Sequence, residues 1–333
     1  MNETGQLTNG LELGSLLSSF PAPLVHAFGY GSGVFAQEND NLSKRNDRMI
    51  DIILTIECAK SWHEDNLQRN KHHYSTLARI LGPSFVAYVQ DIGPGLYFHP
   101  FVEINARPVK YGVISKRKLM QDLLNWDYLY VAGRLHKPTQ PIVENDDETI
   151  EACDHNLTSA LAAALLIQKS QKELESDRII GLKDIFSSIA SLSYSGDFRM
   201  QVGAEDSKKV EKLVNAPGQY TRWCNLYKPS FEKLDKKGIL QINGSTEIET
   251  ISVANSPAAR REFLQLLPAR FRILEKYIET PFMPDILSNE LANIVAPATR
   301  IQGAKGLLSA GIMKSITYAG AKFAKGALKG VKL

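Results

Sequence analysis

A glycine-rich turn near the start of the chain carries residue types that can hold a phosphate. An apolar run over residues 24–28 leads into Gly31, Ser32 and Gly33. Glycine tolerates positive φ and lacks a Cβ, so backbone N–H groups and the serine hydroxyl can approach a phosphate closely. The turn matches neither the dinucleotide-binding pattern nor the P-loop pattern, so alone it is a weak signal. We predict that it binds phosphate, against the alternative that the glycines serve only backbone geometry.

A carboxylate inside an apolar run is the second candidate for chemistry. Asp51 lies in MIDIILTIE, residues 49–57, which has the composition of a strand. Magnesium takes one or two protein carboxylates together with phosphate oxygens and water, so Asp51 is a candidate metal ligand. A pair of acids at i and i+2 is absent, because position 53 is Ile and Glu57 lies roughly 20 Å further along an extended strand. The combination predicts nucleotidyl transfer with the second metal ligand open; the alternative is a structural acid at the strand start.

Basic residues at two later positions could neutralise phosphates. Lys110 and Tyr111 begin the predicted strand VKYGVIS, and Arg134 and Lys137 follow another predicted strand in AGRLHKP. A lysine at such a position can reach a phosphate as a point charge. We predict nucleotide binding by Lys110, Tyr111 and Arg134. The alternatives are an edge-strand lysine and solvated turn residues.

A dense polar cluster follows an apolar helix at residues 193–200. Its sequence, SYSGDFRM, contains three hydroxyls, a glycine, Asp197 and Arg199. We predict that Asp197 contributes to the active site, against a capped helix end with a structural contact between Asp197 and Arg199. His72 and His73 are interpreted as surface or core histidines, because an ionised phosphate nucleophile needs no strong general base.

These residues need a scaffold of strands and helices, and the hydrophobic pattern predicts one. A helix is expected over residues 61–81, ended by Gly82 and Pro83, and a second helix is expected after the cap Ser115. A short hairpin is expected around Asn243 and Gly244. The predicted strands are residues 24–28, 49–56, 85–89, 96–104, 109–114 and 128–133. Mixed strands and helices over about 150 residues, followed by a mostly helical region, indicate an α/β or α+β domain and a second domain.

Composition excludes several classes of protein. The 333 residues exceed what one core usually holds, and 44% hydrophobic residues indicate a soluble globular chain. The three cysteines are far apart and outside any Cys/His cluster, which argues against a disulfide framework or a zinc site. No run of 18 apolar residues occurs, so no bilayer span is predicted.

The C-terminal segment, residues 300–333, has the pattern of a basic amphipathic helix. After Glu290 the chain has seven basic residues and no acid, and apolar and basic residues fall on separate arcs at helical spacing. We predict that it binds an anionic membrane surface; the alternative is a helix packed on the second domain. Nucleic acid is not expected, since only Tyr318 and Phe323 are available for stacking. The predicted membrane-binding residues are Ile312, Lys314, Ile316, Lys322, Phe323, Lys325 and Lys329.

Several long motifs together resemble a known family. In chain order they are FGYGSGVF, MIDIILTIE, HYS with LGP, KYGVIS, DLLNWDYLYVAGRL and LSYSGDFRM. This series resembles the mitochondrial phosphatidate cytidylyltransferase family, also called translocator assembly and maintenance proteins, over residues 24 to about 203. The resemblance implies an α+β chain. A nucleotidyltransferase-fold domain (1–155) would be followed by a winged-helix-like domain (156–295) and a membrane-binding tail (296–333).

The resemblance also implies an activity: CTP and phosphatidate give CDP-diacylglycerol and pyrophosphate, with Mg²⁺, for cardiolipin synthesis. The enzyme would be peripheral on the matrix face of the mitochondrial inner membrane. The glycine turn would hold the leaving phosphates, Asp51 would bind the metal, and Lys110 and Arg134 would neutralise phosphate charge. The implied catalytic set is Ser32, Asp51, Lys110 and Asp197.

The sequence departs from that pattern in two respects. The metal motif lacks paired acids, and the N-terminus is not an Arg-rich transit peptide. Two other functions therefore stay open. One is a nucleotidyltransferase with another acceptor, and the other is a non-catalytic, membrane-docked assembly factor for protein import.

Overall fold

The structure is a computed structural model that describes residues 13–35, 48–144, 146–168, 178–197, 209–216, 218–243 and 250–310. The chain forms two compact units. The first unit contains the residues up to Gln121, Thr139–Ile150 and the residues from Ala298 onward. The second unit contains Asp122–Pro138 and Glu151–Pro297.

The first unit is built on a mixed five-stranded sheet. Its strands are β1 (His26–Tyr30), β2 (Ile50–Ile56), β3 (Leu96–Ile104), β4 (Arg107–Ser115) and β5 (Gln140–Val143). Their order across the sheet is β3-β4-β2-β1-β5. Strands β2 and β4 are parallel, and the other neighbouring pairs are antiparallel.

One face of this sheet forms the core of the first unit. Successive side chains of β2 point to opposite faces of the sheet, as in any strand. Ile52 and Leu54 point to the core face. They pack with Val109 and Val113 of β4 and with Trp62 in a single apolar cluster. Asp51 and Lys110 occupy the intervening positions, so they belong to the opposite face.

The helices of the first unit differ from the prediction around residue 85. Helix α1 is Ala59–Arg69, a 3₁₀ turn follows at Lys71–His73, and α2 is Thr76–Asp91. The predicted strand over residues 85–89 is wrong: this segment lies within α2. Its β-branched valines favour a strand locally, but Val86 and Val89 are buried at helical spacing with Ala78, while Tyr88 is 69% exposed.

Gly82 divides α2 into two helical segments. Its φ of 77° and ψ of −175° are not helical, so the first segment ends there and a second follows after a kink. The predicted helix stop at Gly82 and Pro83 is therefore confirmed, although the helix predicted over residues 61–81 is itself interrupted between Arg69 and Thr76. Downstream, Ser115 accepts a hydrogen bond from the Lys118 N–H, which confirms its predicted capping role for α3 (Lys116–Asn125).

The second unit is mostly helical with a small antiparallel sheet of order β6-β8-β7. Its strands are β6 (Arg178–Gly181), β7 (Leu240–Asn243) and β8 (Thr250–Val253). Its helices are α4 (Ala132–Leu135), α5 (Asp147–Ile167), α6 (Leu182–Leu192), α7 (Lys209–Asn215), α8 (Gln219–Lys236), α9 (Pro257–Gln265), a 3₁₀ segment (Ala269–Tyr277) and α10 (Met283–Ala310). Helices α3, α5 and α10 each contribute residues to both units. Antiparallel pairing of β7 with β8 confirms the predicted hairpin.

The predicted strand over residues 128–133 is also wrong. A buried carboxylate, Asp122, accepts hydrogen bonds from the backbone N–H groups of Tyr128, Tyr130, Val131 and Ala132 at 2.8–3.0 Å. These bonds wrap the apolar segment into a loop that leads into α4. The α+β class is nevertheless confirmed, and the mixed sheet is consistent with a nucleotidyltransferase-like fold.

Candidate active site

Strand register brings three of the predicted site elements side by side. Asp51 of β2 is paired with Tyr30 of β1 on one side and with Lys110 of β4 on the other. Because Tyr30 is the last residue of β1, the glycine turn at residues 31–33 begins next to Asp51. The turn, the carboxylate and the lysine therefore meet at one edge of the sheet.

Asp51 and Lys110 form a partly exposed ion pair. Lys110 Nζ lies 3.3 Å from Asp51 Oδ1, and the two side chains are 26% and 25% exposed, respectively. The ammonium also lies 4.5 Å from the centre of the Phe98 ring, within the range of a cation–π contact. Phe98 was not predicted as a site residue, although its pairing with Gly112, two residues after Lys110, puts it on the same face. The arrangement leaves both charges accessible to a ligand.

The glycine turn packs directly against the start of β2. A Cβ at Gly33 would lie 2.0 Å from the Met49 carbonyl oxygen, which no side chain can accommodate. Gly31 has a φ of 81°, and a Cβ there would lie 3.6 Å from Asp51 Oδ2. Both glycines thus hold the backbone close to the carboxylate. Ser32 is exposed at the tip of the turn, and its predicted contact with phosphate stays a prediction.

The donor set at this edge suits a magnesium ion that binds together with phosphates. Asp51 offers carboxylate oxygens, the ligand type that Mg²⁺ prefers, and Oδ2 lies beside the turn. Within the described residues, no group of three His, Cys, Asp or Glu side chains could hold a metal alone. A site with one carboxylate fits Mg²⁺ only if phosphate oxygens and water complete the coordination shell.

Tyr111 does not join this site. It is fully buried on the opposite face of the sheet, where its hydroxyl bonds Asn66 Nδ2 at 3.0 Å and His73 Nδ1 at 2.8 Å. Its ring stacks on His99 with centroids 4.3 Å apart. Tyr111 was predicted to bind nucleotide together with Lys110, its neighbour in the sequence. Adjacent residues of a strand point to opposite faces of the sheet, so Tyr111 points away from Lys110 and Asp51.

A buried polar network surrounds Tyr111. His63 bonds the Tyr74 hydroxyl through Nδ1 and Gln90 Oε1 through Nε2, each at 2.7 Å. Burial lowers the pKa of His63 to about 4, and burial together with the neighbouring His72 lowers that of His73 to about 4. Both rings are therefore neutral at physiological pH, in agreement with a structural rather than a general-base role.

Arg134 and Asp197 belong to the second unit. The Arg134 guanidinium donates to the Tyr130 carbonyl oxygen at 3.1 Å and lies 4.3 Å from the Tyr130 ring centre. Asp197 is 1% exposed. Arg199, its predicted structural partner, lies outside the described residues.

The predicted membrane-binding residues, from Ile312 to Lys329, also lie outside the described residues. The segment just before them belongs to α10 and packs within the first unit. Lys305 Nζ donates to the carbonyl oxygens of Gln90 and Ile92 at 3.0 and 2.9 Å, and Gln302 donates to that of Leu96. The described start of the predicted amphipathic segment, residues 300–310, is therefore anchored to the first unit by these hydrogen bonds. In the part of the chain that the structure describes, no helix is long and apolar enough to span a bilayer.

Comparison with known proteins gives consistent matches along the chain. A family model described as mitochondrial phosphatidate cytidylyltransferase matches residues 13–325. The mitochondrial phosphatidate cytidylyltransferase of Bos taurus is 36% identical over 334 residues, which cover 96% of this chain and 95% of that protein. That of Mus musculus is 34% identical with the same coverage. That of Schizosaccharomyces pombe is 33% identical and covers 95% of this chain and 84% of that protein. The matched span includes the glycine turn, Asp51, Lys110 and the second unit.

Proposed function

Since the chain belongs to the mitochondrial phosphatidate cytidylyltransferase family, we propose that it transfers a cytidylyl group from CTP to phosphatidate. The products are CDP-diacylglycerol and pyrophosphate. Within the structure, one observation carries this proposal: the turn at residues 31–33, Asp51 and Lys110 lie side by side at one edge of the sheet. Nucleotidyl transfer needs three components: a turn that holds phosphates, a metal-binding carboxylate and a cation. The turn, Asp51 and Lys110 would supply them in that order.

The chain's own residues bind and orient the triphosphate. Backbone N–H groups of the glycine turn and the Ser32 hydroxyl hold the leaving β- and γ-phosphates. Lys110 exchanges part of its interaction with Asp51 for phosphate oxygens and stabilises the charge that develops on them. Asp51 would hold Mg²⁺, which when bound neutralises the triphosphate and aligns the attacking and leaving oxygens.

The acceptor supplies its own nucleophile. A phosphatidate phosphate oxygen is already ionised at neutral pH, so it attacks the α-phosphorus of CTP without a general base. The new bond joins this oxygen to the α-phosphorus, and the bond to the β-phosphate oxygen breaks, so that pyrophosphate leaves with the electron pair. Catalysis then comes from positioning and charge neutralisation.

The proposed substrate is a lipid, and an apolar surface on the first unit supports work at a membrane. Leu77, Ile80 and Leu81 lie on one side of the first half of α2 and are 43%, 75% and 49% exposed. Leu308, 44% exposed, is adjacent, because its carbonyl oxygen accepts a hydrogen bond from Ser75 Oγ at 3.0 Å. Leu308 belongs to the predicted basic amphipathic tail, whose remaining residues follow it in the sequence. We propose that this apolar surface and the tail lie together on an anionic bilayer, on the matrix side of the mitochondrial inner membrane.

The product would supply mitochondrial phospholipid synthesis, cardiolipin included. The substrate assignment is tested by incubating the protein with Mg²⁺ and radiolabelled CTP or ATP, with and without phosphatidate vesicles. We expect label in CDP-diacylglycerol only with CTP and phosphatidate together. A preference for ATP, or turnover without lipid, would contradict the proposal.

A further inference from the structure

One aromatic side chain lies at the active-site edge of the sheet without a role in the chemistry proposed so far. The Lys110 ammonium lies over the Phe98 ring of β3, with Nζ 4.5 Å from the ring centre. Phe98 is 8% exposed, whereas the side chains of Lys110 and Asp51 are 26% and 25% exposed. A buried ring therefore adjoins two accessible charges.

The Phe98 ring is held in place by close packing on a glycine of the neighbouring strand. Phe98 pairs with Gly112 of β4, and a Cβ at Gly112 would lie 2.8 Å from Phe98 Cε1. Ile53 Cδ1 and Leu96 Cδ1 lie 3.0 and 3.1 Å from the same point, and both of these residues are fully buried. A side chain at position 112 would thus displace the ring or its apolar neighbours.

Lys110 has two attractive neighbours of different kinds. Asp51 Oδ1 is 3.3 Å from the ammonium, and because it belongs to a carboxylate it both orients and neutralises the lysine. The Phe98 ring has no net charge, but its electron-rich face attracts a cation. The ring can therefore orient the ammonium and leave its positive charge for a phosphate.

The two contacts respond differently to the proposed reaction. When Asp51 holds Mg²⁺, its interaction with Lys110 weakens, because the metal and the ammonium compete for the same carboxylate. The contact with the ring does not depend on Asp51. The stem of a lysine is flexible, and ordering it during binding lowers the affinity for a ligand. A ring that already orders Lys110 reduces this loss.

We propose that Phe98 is a positioning residue, which holds Lys110 in place for a polyphosphate through a cation–π contact. Its effect is transmitted by Lys110. That the polyphosphate belongs to CTP rests on the proposed function, whereas the coupling between Phe98 and Lys110 does not.

A double-mutant cycle in the full-length protein separates this role from that of an ordinary core aromatic. Phe98→Leu, Lys110→Met and the double variant are compared with the wild type. Calorimetry with Mg²⁺ and without phosphatidate measures the Kd for tripolyphosphate and, separately, for CTP. Tyr277→Leu is the matched control, because Lys276 Nζ lies 4.9 Å from the Tyr277 ring centre in the second unit. Circular dichroism and Tm establish that each variant is folded.

We expect Phe98→Leu to raise both Kd values about three- to tenfold, because Lys110 must then be ordered during binding. In the Lys110→Met background the same substitution should change them less than about twofold, since the residue through which the ring acts is gone. Phe98→Tyr, which keeps the aromatic face, should bind as the wild type does, and so should Tyr277→Leu.

A second replacement keeps the shape of the buried side chain. Trifluorophenylalanine at position 98 retains the packing of the ring but withdraws electron density from its face, which weakens its attraction for a cation. It should raise both Kd values, as Phe98→Leu does. This variant decides the matter if Phe98→Leu does not fold.

Folded Phe98→Leu and fluorinated variants that bind both ligands as the wild type does would overturn the inference. An equal loss of affinity from Phe98→Leu with and without the Lys110 ammonium would also overturn it, since the ring would then serve general packing. Both results leave the proposed function intact if the wild type transfers cytidylyl groups.

The reverse outcome is distinguishable. A wild type that binds tripolyphosphate with the expected coupling between Phe98 and Lys110, but transfers nothing from CTP to phosphatidate, would contradict the proposed function and retain the role of Phe98.

Discussion

At the scale of single residues, the ion pair between Asp51 and Lys110 serves binding more than stability. Both side chains are about one quarter exposed, and ion pairs in contact with solvent contribute roughly 0–1 kcal/mol to folding. A lysine held beside a carboxylate and an aromatic ring is instead positioned in advance for an incoming polyanion.

Lys110→Met should therefore impair catalysis with little effect on stability. We expect kcat/KM for CTP to fall on the order of 10- to 1000-fold, because a charge-assisted contact to the triphosphate is lost. The unfolding free energy should change by less than about 1 kcal/mol. Lys116→Met, which removes the ion pair with Asp146 after the same strand, is the control and should retain activity. Equal kinetics for both variants would refute the role of Lys110.

The residue types of this site were predictable from the sequence, but their grouping was not fully so. Strand periodicity identifies Asp51 and Lys110 as polar positions within apolar runs. It also shows in retrospect that Tyr111, adjacent to Lys110, must point to the opposite face. Phe98 was missed because its contact with Lys110 depends on the pairing of β3 with β4, and this register is set by contacts distant in sequence.

At the scale of secondary-structure elements, both wrong strand predictions have a tertiary cause. Residues 85–89 have strand-like side chains, yet they form a helix because Val86 and Val89 are buried with Ala78. Residues 128–133 are equally apolar, but the Asp122 carboxylate takes up four of their N–H groups. In both segments, contacts with residues outside the segment, Tyr97 for Val86 and Val89 and Asp122 for the loop, override local propensity.

Asp122→Asn tests how strongly that carboxylate organises the loop. The amide presents an NH₂ group where the carboxylate oxygens accept four N–H bonds, so at least one buried donor loses its acceptor. We expect a loss of about 2–4 kcal/mol in unfolding free energy, measured by urea denaturation. Asp127→Asn, in the same loop but exposed, should have no comparable effect. A stability equal to that of the wild type would show that the loop does not depend on Asp122.

The exposed apolar side of α2 gives a second test at this scale. Ile80→Asp should weaken flotation with vesicles of phosphatidylcholine and phosphatidate about tenfold, because membrane binding then no longer transfers the apolar Ile80 side chain out of water. Ile273→Asp changes a residue of similar exposure, 68%, in the second unit, and should float normally. Unchanged flotation of the Ile80 variant would exclude this surface from membrane contact.

At the scale of the whole molecule, the buried histidines make stability depend on pH. The pKa values of His63 and His73 are about 4 in the folded protein and 6.5 when exposed. Between these values the unfolded chain binds more protons, so stability is full above pH 6.5 and falls as the pH drops towards 4. His63 contributes about 1.4 kcal/mol per pH unit in this window, and the less deeply buried His73 contributes less because solvent screens its charge.

Urea denaturation at pH 7, 6 and 5 measures this slope. Folded His63→Gln should reduce it, whereas His72→Gln, at an exposed position, should reduce it far less. A wild-type stability that is constant from pH 7 to pH 5 would contradict the neutral, buried state of the network.

The most direct measurement of the central claim is cytidylyl transfer by Asp51→Asn. The substitution keeps the shape of the side chain and removes the charge that would bind Mg²⁺ beside the glycine turn. Glu57→Gln, which neutralises an exposed acid just after the same strand, is the matched control. With radiolabelled CTP and phosphatidate vesicles, we expect folded Asp51→Asn to lose at least about 100-fold in kcat/KM, and Glu57→Gln to match the wild type. Wild-type transfer by folded Asp51→Asn would contradict the assignment of this edge of the sheet as the active site.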